Sequence, residues 1–498
     1  MDHRQRAPWY RDPAPWSVAG LAVVVRLAWV AYGMRTPRAL ADPAIYLYSA
    51  LQVACGRGYV ALSGPPCSLA DHPHRTSYYP PGYPLYLGGQ QWVLKHVGMG
   101  AHTLGVTGVV QSLMGGVAVL AVFVVGRRLG GRAVGVAAAL VLALWPNVVV
   151  YSGLLLSETL FITAFAVSLA AVLTVHDQAR WHWGRAVLAG ASFGVACMVR
   201  PQVLLTLPAL ALAWAVSRTG WRQVLARSAV LGVGVVVLAA PWAVRNYGVF
   251  GAFVPFSTNG GDNLCVGFHP GADGRFAIPT YCDTGEFYTD SAAAERRRDA
   301  ETRQRAVKWI RSHPGELPAL SGKKMWATYR TDADGLYAAV SFGSDQFLGS
   351  GYRTAQHVVD VVWGFVLAAA VLGLGITAVR GWGRRRLDPT GLCVVLATLA
   401  GAVVPVLFFG DPRFKLGIAP LVAVLAGVTL TVGRRWPDPV EHLAPEPDAA
   451  DVLEVVALTG QLPVVVAEPA GPDAYFTATA PDEGSAAADG PDAPGAPQ

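Results

Sequence analysis

Apolar runs of membrane-spanning length, separated by short connections that carry arginine, restrict this 498-residue chain to one kind of architecture. Hydrocarbon offers no partners to backbone N–H and C=O groups, so such runs cross it as helices. Only 14% of the residues are charged, against about a quarter in soluble proteins. The expected fold is an all-α polytopic membrane protein with about ten transmembrane helices. Two large extracytoplasmic loops, 35–102 and 245–353, should contain amphipathic helices. The first run, Trp16–Gly33, lacks the small-residue cleavage site of a signal peptide and reads as a retained span. The others lie near Leu104–Val125, Ala133–Tyr151, Glu158–Val175, Ala186–Val199, Val203–Val216, Ala229–Val244, Val358–Val379, Gly391–Phe409 and Leu416–Val432.

The charge is unevenly placed. From Pro437 onward there are twelve Asp and Glu and no Lys or Arg, so the 39 basic residues face only 21 acids in the rest of the chain. The excess sits where a cytoplasmic face is expected, at Arg127, Arg128 and Arg132, at Arg180 and Arg185, at Arg218, Arg222 and Arg227, at Arg380 and Arg384, and at Arg434 and Arg435. That pattern is membrane topology, not nucleic-acid binding. It puts both termini in the cytoplasm, with residues 1–15 as a cytoplasmic N-terminus and 16–436 as one membrane domain of a multi-pass cell-membrane protein. The segment 437–498, rich in Ala, Pro, Asp, Glu and Gly, should be a disordered acidic tail.

The first large loop is polar, aromatic and punctuated by Gly and Pro. Asp42 follows the first span by a few residues. It either caps a surface helix or serves as a general base on an acceptor hydroxyl. Glu158, at the outer end of a span, caps that helix or joins Asp42 in one external pocket; a carboxylate in apolar surroundings is costly and usually functional. Arg200, Arg245 and Arg413 fall at outer ends of spans, against the positive-inside trend. They snorkel, or they ring an anionic lipid phosphate, whose oxygens match a guanidinium fork. Lys323 and Lys324 could join them. Tyr46, Tyr59, Tyr79 and Tyr83 belong to an interfacial aromatic belt or stack on a sugar or prenyl group.

Four cysteines lie in the large loops. The local pairs Cys55–Cys67 and Cys265–Cys282 would each staple a loop with little core of its own; unpaired thiols are the alternative. Asp71, His72 and His74 make a poor metal cluster, no Cys/His spacing suggests zinc, and no phosphate-binding or dinucleotide motif occurs. The expected metal and cofactor set is none.

Asp42 with Tyr46, Gly56-Arg-Gly-Tyr59, Tyr79-Pro-Pro-Gly-Tyr-Pro84, Ser157-Glu-Thr-Leu-Phe161, Val199-Arg-Pro201 and Pro241-Trp-Ala-Val-Arg-Asn246 occur in an order that resembles the GT-C superfamily of membrane glycosyltransferases. The resemblance is to the bacterial branch related to protein O-mannosyltransferases and lipid A aminoarabinose transferases, and it runs from about residue 20 to 435. It implies a hexosyl- or pentosyltransferase with a polyprenyl-phosphate sugar donor and an inverting single displacement at the outer face. It implies that Asp42 is the base and that no tightly bound metal is needed. Many relatives carry a second acid directly after that Asp, where this chain has Pro43, so any paired-acid role passes to Glu158. The acceptor stays open among protein, lipid and glycan. A flippase or transporter of a lipid-linked sugar would share the groove and the arginines without needing Asp42, and a catalytically silent membrane scaffold is a third reading.

Overall fold

The computed structural model describes residues 9–433 apart from 39–40, 69–72, 174–182, 218, 288, 346 and 383–387. The acidic tail, most of the N-terminal segment, Asp71 and His72 lie outside the described residues.

Helix α1 (Pro13–Gly33) starts where the Asp12 carboxylate accepts from the Ala14 amide and Pro13 supplies a preset φ. The first long connection contains α2 (Asp42–Ala54) and α3 (Gly82–His96). Helix α4 (Thr103–Leu144) has 42 residues; straight, it would be roughly 60 Å long, about twice a bilayer core. It is instead a hairpin. Gly130 and Gly131 leave the helical angles, Gly131 at φ +85°. The two arms approach so closely that a Cβ on Gly135 would lie 2.7 Å from the Phe123 carbonyl oxygen. Arg132, just past the turn, pairs with Asp12 at 2.6 Å and ties the turn to the start of α1.

Pro146 ends α4 and cannot donate back to it. The stranded carbonyls of Leu142 and Ala143 accept instead from the guanidinium of Arg26, buried in the middle of α1, at 3.1 and 3.0 Å. Gly115 makes the room, since a Cβ there would meet Arg26 Nε at 2.3 Å. Helix α5 (Pro146–Val150) then bends by 120° into α6 (Glu158–Leu173). Helices α7 (Trp183–Val199), α8 (Thr206–Val216) and α9 (Trp221–Phe250) follow, α7 and α9 packing through Gly190 and Gly234.

The second long connection holds α10 (Gly260–Gly267), α11 (Ala292–Ser312), α12 (Leu317–Tyr329) and α13 (Asp334–Ser341). The chain returns through α14 (Tyr352–Trp382), α15 (Pro389–Ala402), the short α16 (Val404–Leu407), a 3-10 turn over Pro412–Ile418, and α17 (Ala419–Leu430), which packs against α4 and α14. Among the described residues β-structure is limited to two isolated bridges, Val60 with Arg75 and Arg275 with Gly410.

Six helices are individually long and apolar enough to cross a membrane, and the bent α5–α6 pair makes a seventh. Counting the α4 hairpin as two arms and adding the shorter α7 and α8 gives ten apolar segments among the described residues, in line with a polytopic all-α membrane fold. The expected span Ala133–Tyr151 breaks at Trp145–Pro146, and this break swings the chain toward Glu158; the expected span Gly391–Phe409 is likewise interrupted at Val403.

The two long connections pack on each other through one buried acid. Glu295, on α11, accepts from the Thr76 hydroxyl at 2.7 Å, the Ser77 amide at 2.9 Å and the Thr258 hydroxyl, with His74 Nε2 at 3.3 Å. The structure joins Cys55 to Cys67 in the first connection and Cys265 to Cys282 in the second.

Candidate active site

Asp42 opens α2 but is not spent on capping, because Ala41 holds the cap position without a side-chain bond. Its Oδ1 accepts from the Tyr79 hydroxyl at 2.9 Å, and its Oδ2 from Arg413 Nη1 at 2.8 Å. Glu158 opens α6 beside it. Its Oε1 accepts from Arg413 Nε at 2.8 Å and from Arg200 Nη2, while its Oε2 is buried without a hydrogen-bond partner. The two carboxylates and two guanidiniums therefore form one contiguous cluster, drawn from four places in the chain.

Local sequence explains how each group reaches it. Arg200 ends α7 in an extended conformation, φ −145° and ψ 96°, as expected for a residue before proline. Arg413 sits in the 3-10 turn, where the Asp411 carboxylate accepts from its backbone amide at 2.8 Å. Asp411 thus caps the turn and leaves the Arg413 side chain to the cluster. The side chains of Asp42 and Arg413 are 27% exposed, Arg200 11% and Glu158 1%, so the cluster is open at Asp42 and closed at Glu158.

Burial by itself would raise the Asp42 carboxyl. The charge and hydrogen bond of Arg413, the Tyr79 bond and the charge of Arg200 outweigh it and hold the pKa below the ordinary value. Tyr46 packs edge-on against Tyr79 at 5.3 Å and Tyr83 at 5.2 Å, beside Asp42. Burial raises the phenol of Tyr46 well above its usual value, which keeps it neutral.

The remaining candidates lie elsewhere. Arg245 donates to the carbonyls of Thr76 at 2.7 Å and Tyr59 at 2.7 Å and lies over the Trp242 ring, clamping the first connection. Tyr59 packs on Trp242, and its hydroxyl donates to the Tyr79 carbonyl at 3.3 Å. Lys323 is exposed on α12, whereas Lys324 is buried with its ammonium 3.2 Å from the centre of the Phe268 ring. Neither lysine bonds to Asp42 or Glu158. Among the described residues, no group of three or more His, Cys, Asp or Glu is placed to hold a metal ion.

Sequence reasoning missed a second polar layer behind the cluster. Lys415 and Asp332, both fully buried, pair at 3.0 Å. Asp332 also accepts from Trp145 Nε1 at 2.6 Å and Asn147 Nδ2 at 3.0 Å, and Asp334 accepts from Asn147 at 2.9 Å and from the Tyr151 hydroxyl. Lys415 follows Arg413 by two residues, so the 3-10 turn is held by ion pairs on two sides. The available signal was a basic residue in an apolar stretch, Phe414-Lys-Leu-Gly417, which demands a buried acid somewhere.

Residues 99–244 match the family model described as dolichyl-phosphate-mannose-protein mannosyltransferase. No curated protein matches the chain. Among solved structures, the oligosaccharyltransferase of Archaeoglobus fulgidus, tethered to an acceptor peptide containing the NVT sequon, aligns with a TM-score of 0.50 at 13% identity, over 85% of this chain and 50% of that one. The archaeal oligosaccharyltransferase AglB from the same organism, in complex with an inhibitory peptide and a dolichol-phosphate, aligns at 0.49 and 14% identity, over 91% and 55%. ArnT from Cupriavidus metallidurans, bound to undecaprenyl phosphate, aligns at 0.37 and 17% identity, over 83% and 77%. The chain spans about half the length of the oligosaccharyltransferases it matches. The match to the mannosyltransferase model is confined to residues 99–244, and the likeness to the oligosaccharyltransferase is one of helical membrane fold.

Proposed function

We propose that this chain transfers a sugar from a polyprenyl-phosphate-linked donor to an acceptor on the extracytoplasmic face of the cell membrane. The observation that carries this reading is the convergence of Asp42, Glu158, Arg200 and Arg413 into one partly open cluster. Such a donor is a phosphodiester with one negative charge, and its departing phosphate gains a second. Two guanidinium groups match that change in a way that strengthens as the bond breaks. Asp42, at the open end, takes the proton as an acceptor hydroxyl attacks the anomeric carbon from the face opposite the phosphate, inverting that centre. Tyr79, half-buried and bonded to Asp42, offers aromatic surface for the sugar or the first prenyl units, and the buried Tyr46 packs edge-on against it.

Membranes containing the chain, supplied with radiolabelled polyprenyl-phosphate sugars, should label an acceptor. Asp42→Asn should lower that transfer by about 100-fold or more. Undiminished transfer by Asp42→Asn would remove the base assignment. Movement of labelled donor across the bilayer with no transfer would favour a flippase.

A further inference from the structure

Asp42 is not free to act as a base in the geometry described. Both of its oxygens already accept hydrogen bonds, Oδ1 from Tyr79 in the first connection and Oδ2 from Arg413 in the 3-10 turn. The other ionisable groups facing it are Arg200 at the end of α7, Glu158 at the start of α6 and Tyr46 on α2 itself. A carboxylate held below its ordinary pKa is a weak proton acceptor. Both arginines are tied to Glu158, whose Oε1 takes Arg413 Nε and Arg200 Nη2. Two carboxylates balance the two guanidiniums, so an anion that bonds Arg413 Nη1 competes with Asp42 for it.

We propose that Arg413 exchanges partners: it bonds Asp42 while the site holds no lipid phosphate, and an arriving lipid phosphate takes over Nη1 and releases Asp42 as the base. This rests on reading the site as one for a lipid-phosphate donor. The geometry divides the two halves of the exchange. Glu158 is closed off and holds Arg413 through Nε, which fixes the guanidinium, whereas Asp42 and Nη1 lie at the open end. Glu158 is thus a positioning residue. The donor must bind before an acceptor hydroxyl can be deprotonated, so the base is weak whenever no donor is there to use it.

The step balances. The acceptor oxygen forms a bond to the anomeric carbon, the bond from that carbon to the phosphate oxygen breaks with its electron pair going to phosphate, and the acceptor proton goes to Asp42. When the lipid phosphate leaves, Arg413 returns to Asp42 and expels the proton.

The test uses the full-length chain in lipid nanodiscs and a carbodiimide with an amine nucleophile, which labels protonated carboxyls. Labelling of Asp42 is read by mass spectrometry from pH 4 to 7, with and without polyprenyl monophosphate, whose binding is measured separately by calorimetry. The lipid should raise the half-labelling pH of Asp42 by about one unit or more, the size expected when one close opposite charge is withdrawn. In Arg413→Gln that pH should already be high without lipid and should not rise further. A wild-type chain that binds the lipid while Asp42 labelling stays put would overturn the exchange and leave the transferase reading standing. A wild-type chain that does not bind the lipid would overturn both. The wild-type arm decides the matter even if Arg413→Gln fails to fold.

Discussion

Glu158 has almost no contact with solvent and yet meets two guanidinium groups, so its charge is what makes their proximity tolerable. Glu158→Ala would leave Arg200 and Arg413 competing for Asp42 alone. We expect a loss of about 3 kcal/mol in stability, at the lower end for a broken buried pair because the arginines are partly exposed, read from denaturant unfolding in detergent. Lys324 makes a different prediction. Burial pushes its ammonium pKa down to about 7, against about 10.4 in an unfolded chain. Between those values the unfolded state binds more protons, so stability rises with pH from about 7 to 10.4; below about 7 the full cost of the buried charge remains. Lys324→Met should therefore raise the thermal midpoint at pH 6 and flatten its rise between pH 7 and 9.

At the scale of elements, the α4 hairpin and the junction between the two long connections hold the cluster in place. Gly135 lies against the backbone of the opposite arm. Gly135→Leu should cost at least about 3 kcal/mol, because backbone rather than a flexible side chain would have to move, and should show as loss of folded, monodisperse protein on size exclusion. Glu295 satisfies three donors from two separate segments and is fully buried. Glu295→Ala should destabilise by about 3–5 kcal/mol, since several buried donors lose their acceptor together, and the thermal midpoint of the variant checks this. Asp42, Glu158 and Arg200 could be read as candidates from their places at the ends of apolar runs. Arg245 carried the same signature as Arg413, yet it clamps the carbonyls of Thr76 and Tyr59. Position along a span reports depth in the membrane, whereas the partner depends on which loop folds over that spot. The partners of Glu295, Asp332 and Lys415 were invisible for the same reason: each is paired with segments distant in sequence, which spacing cannot reveal.

For the whole molecule, hydropathy and loop arginines carried nearly all of the fold, because the bilayer forces helices and fixes their minimum length. What they could not supply was the irregular backbone: the turn at Gly130–Gly131 that makes one helix into two, and the bend at Pro146 that Arg26 caps. Those breaks, with the 3-10 turn at Pro412–Ile418, deliver Glu158 and Arg413 to Asp42 from opposite ends of the chain. The central claim is that this one cluster holds a lipid phosphate. Its most direct test is the dissociation constant of polyprenyl monophosphate for the wild-type chain and for Arg413→Gln, Arg200→Gln and Arg245→Gln in nanodiscs. The first two substitutions should weaken binding by about tenfold or more, some 1.4 kcal/mol each, and folded Arg245→Gln should bind within about threefold of wild type. Unchanged affinity in both Arg413→Gln and Arg200→Gln, with a loss in Arg245→Gln, would contradict it.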